Sequence, residues 1–228
     1  MPLSLHSRYV GDVTVVTCAG RIVEGEESTA FQAYLDARMA VNPHILLHLG
    51  DVTFVDSAGL GMLVRYLTRA RNSSGTLRIC AVSPALDQVL TVTRLKPVLQ
   101  LFDTESEAIA DAHRNGREVF GAPDILCVDQ SEDVLAYVRE VLRREGHRVM
   151  TASNLPDAVI LLSAARPKAV VAGRLPPAAA ATRAADDFTR LTSGCALVDL
   201  PEGFAGREAA DAAGHLLGAI RELFRAPR

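Results

Sequence analysis

Short blocks of apolar residues divide the first half of the chain into segments with two different periods. Two β-prone runs, residues 3–9 and 13–18, flank a turn at Gly11 and predict a β-hairpin. After the hairpin, apolar residues at helical spacing alternate with short buried runs, which predicts helices alternating with strands. The later predicted strands are residues 44–49, 77–82 and 97–102, and the predicted helices begin near residues 24, 57, 84 and 104. One sheet with its helices on one side is the simplest packing for this order.

The clearest local signal is the stretch from Val52 to Leu67, which reads VTFVDSAGLGMLVRYL. The apolar residues before Asp56 predict a buried strand end, and those after Ser57 recur at helical spacing. Ser57 is therefore expected to cap the start of a helix, where unpaired N–H groups and the helix dipole favour a phosphate. Gly59 and Gly61 keep the helix entrance free of bulky side chains, so that another protein could approach the Ser57 hydroxyl.

The second half of the chain starts a new alternation after a break. Residues 115–123 are polar with Gly and Pro, which predicts a linker. From Asp124 onward, short buried strands alternate with helices, and this order predicts a parallel sheet covered on both faces. The predicted strands are residues 125–128, 148–151, 169–172 and 195–200, and the predicted helices begin near residues 131, 156, 178 and 204.

Composition and charge disfavour several classes of function. The 228 residues are 49% apolar and 22% charged, which predicts packed domains rather than disorder. A formal net charge of −3 and an aromatic content of 5% argue against a nucleic-acid-binding surface. The first residues lack a signal pattern and no apolar run approaches membrane-spanning length. We therefore expect a cytoplasmic protein that does not insert into a membrane.

The chain shows no obvious catalytic or metal-binding cluster. Its four cysteines lie in or beside apolar runs and form no C-x-x-C pair, so buried reduced thiols are expected. His44 and His48 are expected on one face of a strand without a nearby ligand in the sequence, which disfavours a metal site. We find no nucleophile paired with a base and no glycine-rich phosphate loop, and therefore expect neither an enzyme nor a bound cofactor.

The hexapeptide that starts at Asp56, Asp-Ser-Ala-Gly-Leu-Gly, resembles the phosphorylation loop of the STAS family, the anti-sigma factor antagonists of bacteria. The family pattern there is Asp-Ser-(Ser/Thr)-Gly-Leu-Gly, and the order of predicted elements over residues 1–114 agrees with the family. The resemblance implies that Ser57 accepts a phosphate from a serine kinase that is also an anti-sigma factor. The neighbours that it implies to contact this partner are Asp56, Ala58, Gly59, Leu60 and Gly61. Two positions depart from the family pattern, because Ala58 replaces a second hydroxyl and Val23 stands where many members have Asp.

Residues 124–228 resemble the receiver domain of two-component response regulators, through the segments 124–129, 145–149 and 164–167. Receiver chemistry needs an acceptor Asp, a second carboxylate to hold magnesium and a Lys near the phosphoryl group. Asp129 remains from the acidic pair, but Gln130 follows it, Ala172 stands at the acceptor position, and no Lys follows the third strand. The resemblance therefore implies a degenerate pseudo-receiver without aspartyl-phosphate chemistry. Its sheet is expected to be incomplete, with an edge for docking or for a homodimer.

The expected fold is α/β in two parts. A STAS domain at 1–114, a β-sheet with helices on one side, precedes a linker at 115–123 and an incomplete receiver-like, flavodoxin-like parallel α/β domain at 124–228. The leading hypothesis is an anti-sigma factor antagonist that acts by partner switching. It binds the anti-sigma factor kinase while Ser57 is unphosphorylated and releases it on phosphorylation, and a serine phosphatase is the expected second partner. Arg65 and Arg69, one turn apart on the same helix, are expected to contact an acidic partner.

Two other hypotheses remain open at this point. A non-switching STAS scaffold, a subunit of a transport or stress-sensing complex, would be indifferent to the charge at Ser57. A phosphate-accepting response regulator would need the carboxylate that Ala172 does not provide.

Overall fold

A computed structural model of the chain describes residues 2–120, 124–174, 183–200 and 209–225. The chain separates into two compact units, Met1–Ile109 and Ala110–Arg228. Each unit is described separately below.

The first unit is built on a five-stranded sheet. Its strands are β1 (Ser4–Val10), β2 (Val13–Ile22), β3 (His44–Val55), β4 (Thr76–Cys80) and β5 (Leu101–Phe102). They lie in the order β5-β4-β3-β2-β1, with an antiparallel β1–β2 hairpin and parallel pairing from β2 to β5. Gly11 turns the predicted hairpin with a φ of 61°, in the left-handed region that glycine adopts readily.

Three helices pack on one face of this sheet: α1 (Glu26–Val41), α2 (Ser57–Asn72) and α3 (Pro84–Val92). Each contributes apolar side chains to one core, and the sheet supplies alternate residues of its strands. Large side chains that are fully buried there include Phe31, Leu35, Ile45, Leu47, Leu63, Tyr66, Leu77 and Leu90. The core therefore fixes the position of α2 relative to the ends of β2 and β3.

The fourth helix, α4 (Glu105–Phe120), departs from the expected one-sided arrangement. On β1, Leu5 packs against the core and Ser7 accepts a hydrogen bond from Tyr34 of α1, so these odd-numbered residues face the three helices. Arg8 points to the opposite face, where its guanidinium forms an ion pair with Glu105. The start of α4 therefore lies against the other side of the sheet.

Two boundaries in this half differ from the sequence prediction. Strand β3 does not end near Leu49 but continues to Val55, paired with β2 through two register shifts after Thr17. Helix α4 does not end near His113 but runs to Phe120, so residues 115–120 of the predicted linker are helical. Residues 121–123 of that linker lie outside the described residues.

The second unit contains a four-stranded parallel sheet among its described residues. Its strands are β6 (Ile125–Val128), β7 (Val149–Ala152), β8 (Ala169–Ala172) and β9 (Ala196–Asp199), in the order β7-β6-β8-β9. Its further helices are α5 (Glu132–Arg144), α6 (Leu155–Ala165), α7 (Arg183–Thr192) and α8 (Ala209–Arg225). The order is that of the first four strands of a doubly wound flavodoxin-like sheet. The predicted helix starts at residues 178 and 204 lie outside the described residues.

Asp129 has a structural function at the carboxyl edge of this sheet. One carboxylate oxygen accepts a hydrogen bond from the Ser131 N–H at 2.7 Å, and the other accepts one from the Arg174 N–H at 2.7 Å. The carboxylate thus links the loop after β6 to the loop after β8, and a side chain at Gly173 would collide with it. Ala172 is the last residue of β8 and pairs in register with Val128.

Lys168 lies at the opposite, amino edge of the sheet. Its ammonium group forms an ion pair of 2.8 Å with Asp124, just before β6. The carboxylate of Asp129 and the ammonium group of Lys168 are therefore separated by the length of the strands. Aspartyl-phosphate chemistry needs both groups beside the same phosphoryl group, so this pair does not meet that requirement.

We predict that Asp129→Asn destabilises the second unit by about 1–3 kcal/mol. The amide can accept one of the two backbone hydrogen bonds but presents an NH₂ group to the other donor, which is left unsatisfied. Urea unfolding followed by circular dichroism measures the change. The matched control, Asp133→Asn, alters an exposed carboxylate in the first turn of α5 and should change stability by only about 0.5 kcal/mol. Equal stability of the two variants would contradict the bridging role.

Candidate partner-binding site at the start of the second helix

Ser57 is the first residue of α2, directly after the end of β3. Its side chain is exposed, whereas Val55 two residues earlier is buried in the core. Asp56 between them has an extended backbone, with φ −88° and ψ −176°, and turns the chain from strand into helix. The hydroxyl of Ser57 is therefore accessible from solvent at the entrance of the helix.

The cap of this helix is Asp56 and not Ser57, which corrects the sequence prediction. The Asp56 carboxylate accepts a hydrogen bond of 2.8 Å from the N–H of Gly59, the third residue of the helix. Asp and Ser are both favoured caps, and the backbone conformation decides between them, because the capping residue is the last one outside the helix. Ser57 lies one position inside, so its hydroxyl is not required for the helix end.

The second oxygen of Asp56 holds the loop that follows β2. It accepts a hydrogen bond of 2.9 Å from the N–H of Glu24. The N–H of Asp56 itself donates to the carbonyl of Ile22 at 3.3 Å. The donated hydrogen bonds, that of Gly59 first and then that of Glu24, lower the pKa of Asp56 below its ordinary value, so the side chain is an anion at neutral pH.

The three residues that follow Ala58 differ in what surrounds them. Gly59 is buried, and a Cβ atom there would lie 2.4 Å from the carbonyl oxygen of Ile22. Leu60 is also buried in the core, whereas Gly61 is exposed with open space around its Cα. Gly59 and Leu60 therefore fix α2 against the sheet, while Gly61 and the half-buried Ala58 remain on the accessible side.

The two predicted arginines are engaged within the protein to different extents. Arg69 forms an ion pair with Asp36 of α1, which also accepts a hydrogen bond of 2.6 Å from the Tyr66 hydroxyl. Arg65 is exposed and lies over the Tyr66 ring, 5.5 Å from its centre. Burial and the hydrogen bond to Asp36 raise the pKa of Tyr66 to about 12. Arg69 is thus held by a carboxylate of α1, whereas Arg65 contacts the Tyr66 side chain.

Phe54 is a surface residue, which the apolar pattern of the sequence does not indicate. The apolar run before Asp56 predicted a buried strand end, but the Phe54 side chain is 55% exposed. The irregular register of β2 against β3 pairs Phe54 with Arg21, and both side chains are exposed. Beside Ser57, the half-buried Ala58 and the exposed Gly61 add no polar side chain.

A family model of the STAS domain matches residues 6–108. This part of the chain is therefore similar to STAS domains. A Thermotoga maritima protein described as a candidate anti-sigma factor antagonist is 33% identical over 70 residues, which are 31% of this chain and 62% of that protein. The anti-sigma F factor antagonist of Paenibacillus polymyxa is 28% identical over 68 residues, which are 30% of this chain and 58% of that protein. The chain thus matches about three fifths of the length of these curated relatives.

A solved structure also matches the first half of the chain. The structure of an anti-sigma-factor antagonist (STAS) domain protein from Planctomyces limnophilus has 27% identity and a TM-score of 0.43. The match covers 47% of this chain and 97% of that one.

The described residues contain no second candidate site built from cysteines, histidines or an apolar helix. Cys18, Cys80 and Cys127 are buried free thiols and Cys195 is partly exposed, as the sequence predicted for the first three. Burial raises the pKa of Cys18 and of Cys80 to about 12, which disfavours the reactive thiolate. Within the described ranges, no three potential metal ligands come together, and no helix has the length and hydropathy to cross a membrane.

We predict opposite effects for two glycine substitutions in the first unit. Gly59→Ala should destabilise it by about 1–3 kcal/mol, because the new methyl group collides with the backbone of Ile22. Gly61→Ala has open space and should stabilise it by about 0.5–1 kcal/mol, since Ala is the better helix former. Thermal and urea unfolding measure both. Similar changes for the two variants would contradict the close packing of α2 on β2.

We also predict a pH-dependent contribution of Asp56 to stability. Its folded-state pKa is below 3.8 because two backbone N–H groups stabilise the carboxylate. A lowered pKa means that the stabilisation is complete above the unfolded value and is lost as the pH falls through the folded value. The difference in unfolding free energy between wild type and Asp56→Asn should therefore be constant from about pH 7 to pH 5 and shrink towards about pH 3. Urea titrations at these pH values test this, and a pH-independent difference would contradict it.

Proposed function

We propose that this protein is an anti-sigma factor antagonist that acts by partner switching. It binds an anti-sigma factor serine kinase while Ser57 is unphosphorylated and releases the kinase when Ser57 carries a phosphate. The observation that supports this most is the exposed Ser57 hydroxyl beside a cap that another residue, Asp56, already provides. Since Ser57 is not needed to end the helix, its chemistry can change without unfolding it.

A phosphate on Ser57 would remain on the surface of the protein. It adds −1.5 to −2 charges at neutral pH. The Ser57 side chain is exposed at the first position of α2. The added charge would therefore face an approaching protein, which is what a modification that changes partners requires.

The apolar surroundings of Ser57 support release on phosphorylation. Ala58 and Gly61, next to Ser57 on the accessible side of the helix start, carry no polar side chain. A partner that covers these residues would have to remove water from the phosphate, and an ionised group loses much free energy when it is buried without a counter-charge. Arg65, exposed two turns further along α2, is the cation that would contact an acidic group at the rim of this interface.

The remaining parts of the proposal concern the cellular setting. A serine phosphatase would restore the unphosphorylated form, and the exchange would take place in the cytoplasm.

The residues proposed to contact the kinase are Asp56, Ala58, Gly59, Leu60, Gly61, Arg65 and Arg69, of which Gly59 and Leu60 act by positioning α2.

We propose a docking or dimerisation role for the second part of the chain. In this proposal a STAS domain at 1–114 and a linker at 115–123 precede a pseudo-receiver at 124–228. The strand order β7-β6-β8-β9 and the backbone hydrogen bonds of Asp129 support a receiver-like sheet without phosphoryl chemistry. A homodimer through this part would be measured by sedimentation of the full chain.

We predict that an anti-sigma factor serine kinase from the same organism phosphorylates the protein at Ser57 in the presence of ATP. Mass spectrometry maps the phosphate. Ser57→Ala should bind the kinase and resist release by ATP, and Ser57→Asp should bind more weakly by about tenfold, because the carboxylate brings charge to the apolar contact.

The matched control is Ser74→Asp, at an exposed residue beyond the other end of α2, which should bind as wild type does. Wild-type binding by both Ser57 variants would contradict partner switching and favour the non-switching scaffold.

A further inference from the structure

The carboxylate of Asp56 links two segments that are distant in sequence. One oxygen holds the N–H of Gly59 in the first turn of α2, and the other holds the N–H of Glu24 in the loop between β2 and α1. We call this pair of hydrogen bonds the Asp56 clasp. It joins the helix that carries Ser57 to the loop formed by residues 23–25.

The loop at residues 23–25 is largely exposed. Glu24 and Gly25 are exposed, and Val23 is half-buried. Gly25 has φ 116° and ψ −138°, a conformation that essentially only glycine adopts, and its N–H donates to the Ser28 side chain of α1. Near Ser57, the loop is thus tied to α2 by the Glu24–Asp56 hydrogen bond, which a change at Asp56 would remove.

We propose that phosphorylation of Ser57 opens the Asp56 clasp and releases residues 23–25 from the start of α2. The proposal rests on the proposed phosphorylation of Ser57 and describes its consequence inside the protein. One modification would then alter two neighbouring segments of the surface that a partner contacts.

Two physical effects act in the same direction. The phosphate and the Asp56 carboxylate are adjacent anions, and their repulsion favours a conformation in which the carboxylate turns away. The phosphate also competes for the N–H of Gly59, because the N-terminus of a helix favours the more highly charged acceptor. Once Asp56 leaves Gly59, its second oxygen no longer lies in position to hold Glu24.

The clasp would also transmit the modification to α1. The loop at residues 23–25 leads directly into α1, which begins at Glu26, and Gly25 is its cap residue. Opening the clasp would change the presentation of Val23 and Glu24 beside the helix start. A partner that contacts both segments would therefore lose two contacts through one phosphate.

The test uses the full chain with phosphoserine incorporated at position 57 during translation, so that no kinase is needed. Nuclear magnetic resonance measures the hydrogen exchange of the Glu24 and Gly59 amides. We expect the Glu24 amide to exchange at least about tenfold faster than in the unmodified chain, whereas the Gly59 amide stays protected because the phosphate replaces the carboxylate as its acceptor. Asp56→Asn, whose side chain can accept only one of the two hydrogen bonds well, should reproduce the faster exchange of at least one amide without phosphate.

The matched control is Thr68→Glu, which places a negative charge on an exposed position of the same helix, three turns from the clasp. It should leave both amides protected as in the unmodified chain. Unchanged exchange of Glu24 in the phosphoserine protein would overturn the proposal, and so would equal acceleration by Thr68→Glu. Kinase binding is measured separately on the same proteins. An open clasp with undiminished kinase binding would refute partner switching but would agree with the proposal that phosphorylation opens the clasp.

Discussion

The structure around Ser57 depends on one carboxylate that accepts two backbone hydrogen bonds. Asp56 ends β3, caps α2 through Gly59 and fixes the following loop of β2 through Glu24. A buried glycine makes this arrangement possible, because Gly59 lies against the carbonyl of Ile22 where a larger residue does not fit. The side of α2 that faces the sheet is thereby fixed, and the hydroxyl of Ser57 is exposed at the start of this helix.

Acidic residues that follow strands have a comparable function in both units. Asp56 follows β3 and Asp129 follows β6, and each accepts hydrogen bonds from two backbone N–H groups that would otherwise lack a partner. In the first unit this leaves the adjacent Ser57 exposed. In the second unit it occupies the carboxylate that a receiver would use for magnesium, and Ala172 supplies no acceptor beside it. A similar local arrangement therefore caps a helix beside an exposed serine in one unit and joins two loops at the edge of the sheet in the other.

Local signals were sufficient to predict the hairpin, the alternation of elements and the start of α2 at Ser57. The choice of cap was not predictable, since Asp56 and Ser57 are both good capping residues and only the backbone conformation separates them. The ion pairs of Arg8 with Glu105 and of Arg69 with Asp36 join residues far apart in sequence, so no local pattern reveals them. The exposure of Phe54 follows from register shifts in β2 and β3, which apolar periodicity does not record. Helix α4 extends through Gly116, although glycine is a weak helix former.

The most direct measurement of the central claim is the affinity of the kinase for two forms of the intact chain, unmodified and carrying phosphoserine at position 57. Titration calorimetry gives both dissociation constants under the same conditions. The account predicts that the phosphorylated form binds more weakly by about a hundredfold, because the phosphate must lose water at an apolar contact. Equal dissociation constants for the two forms would contradict it.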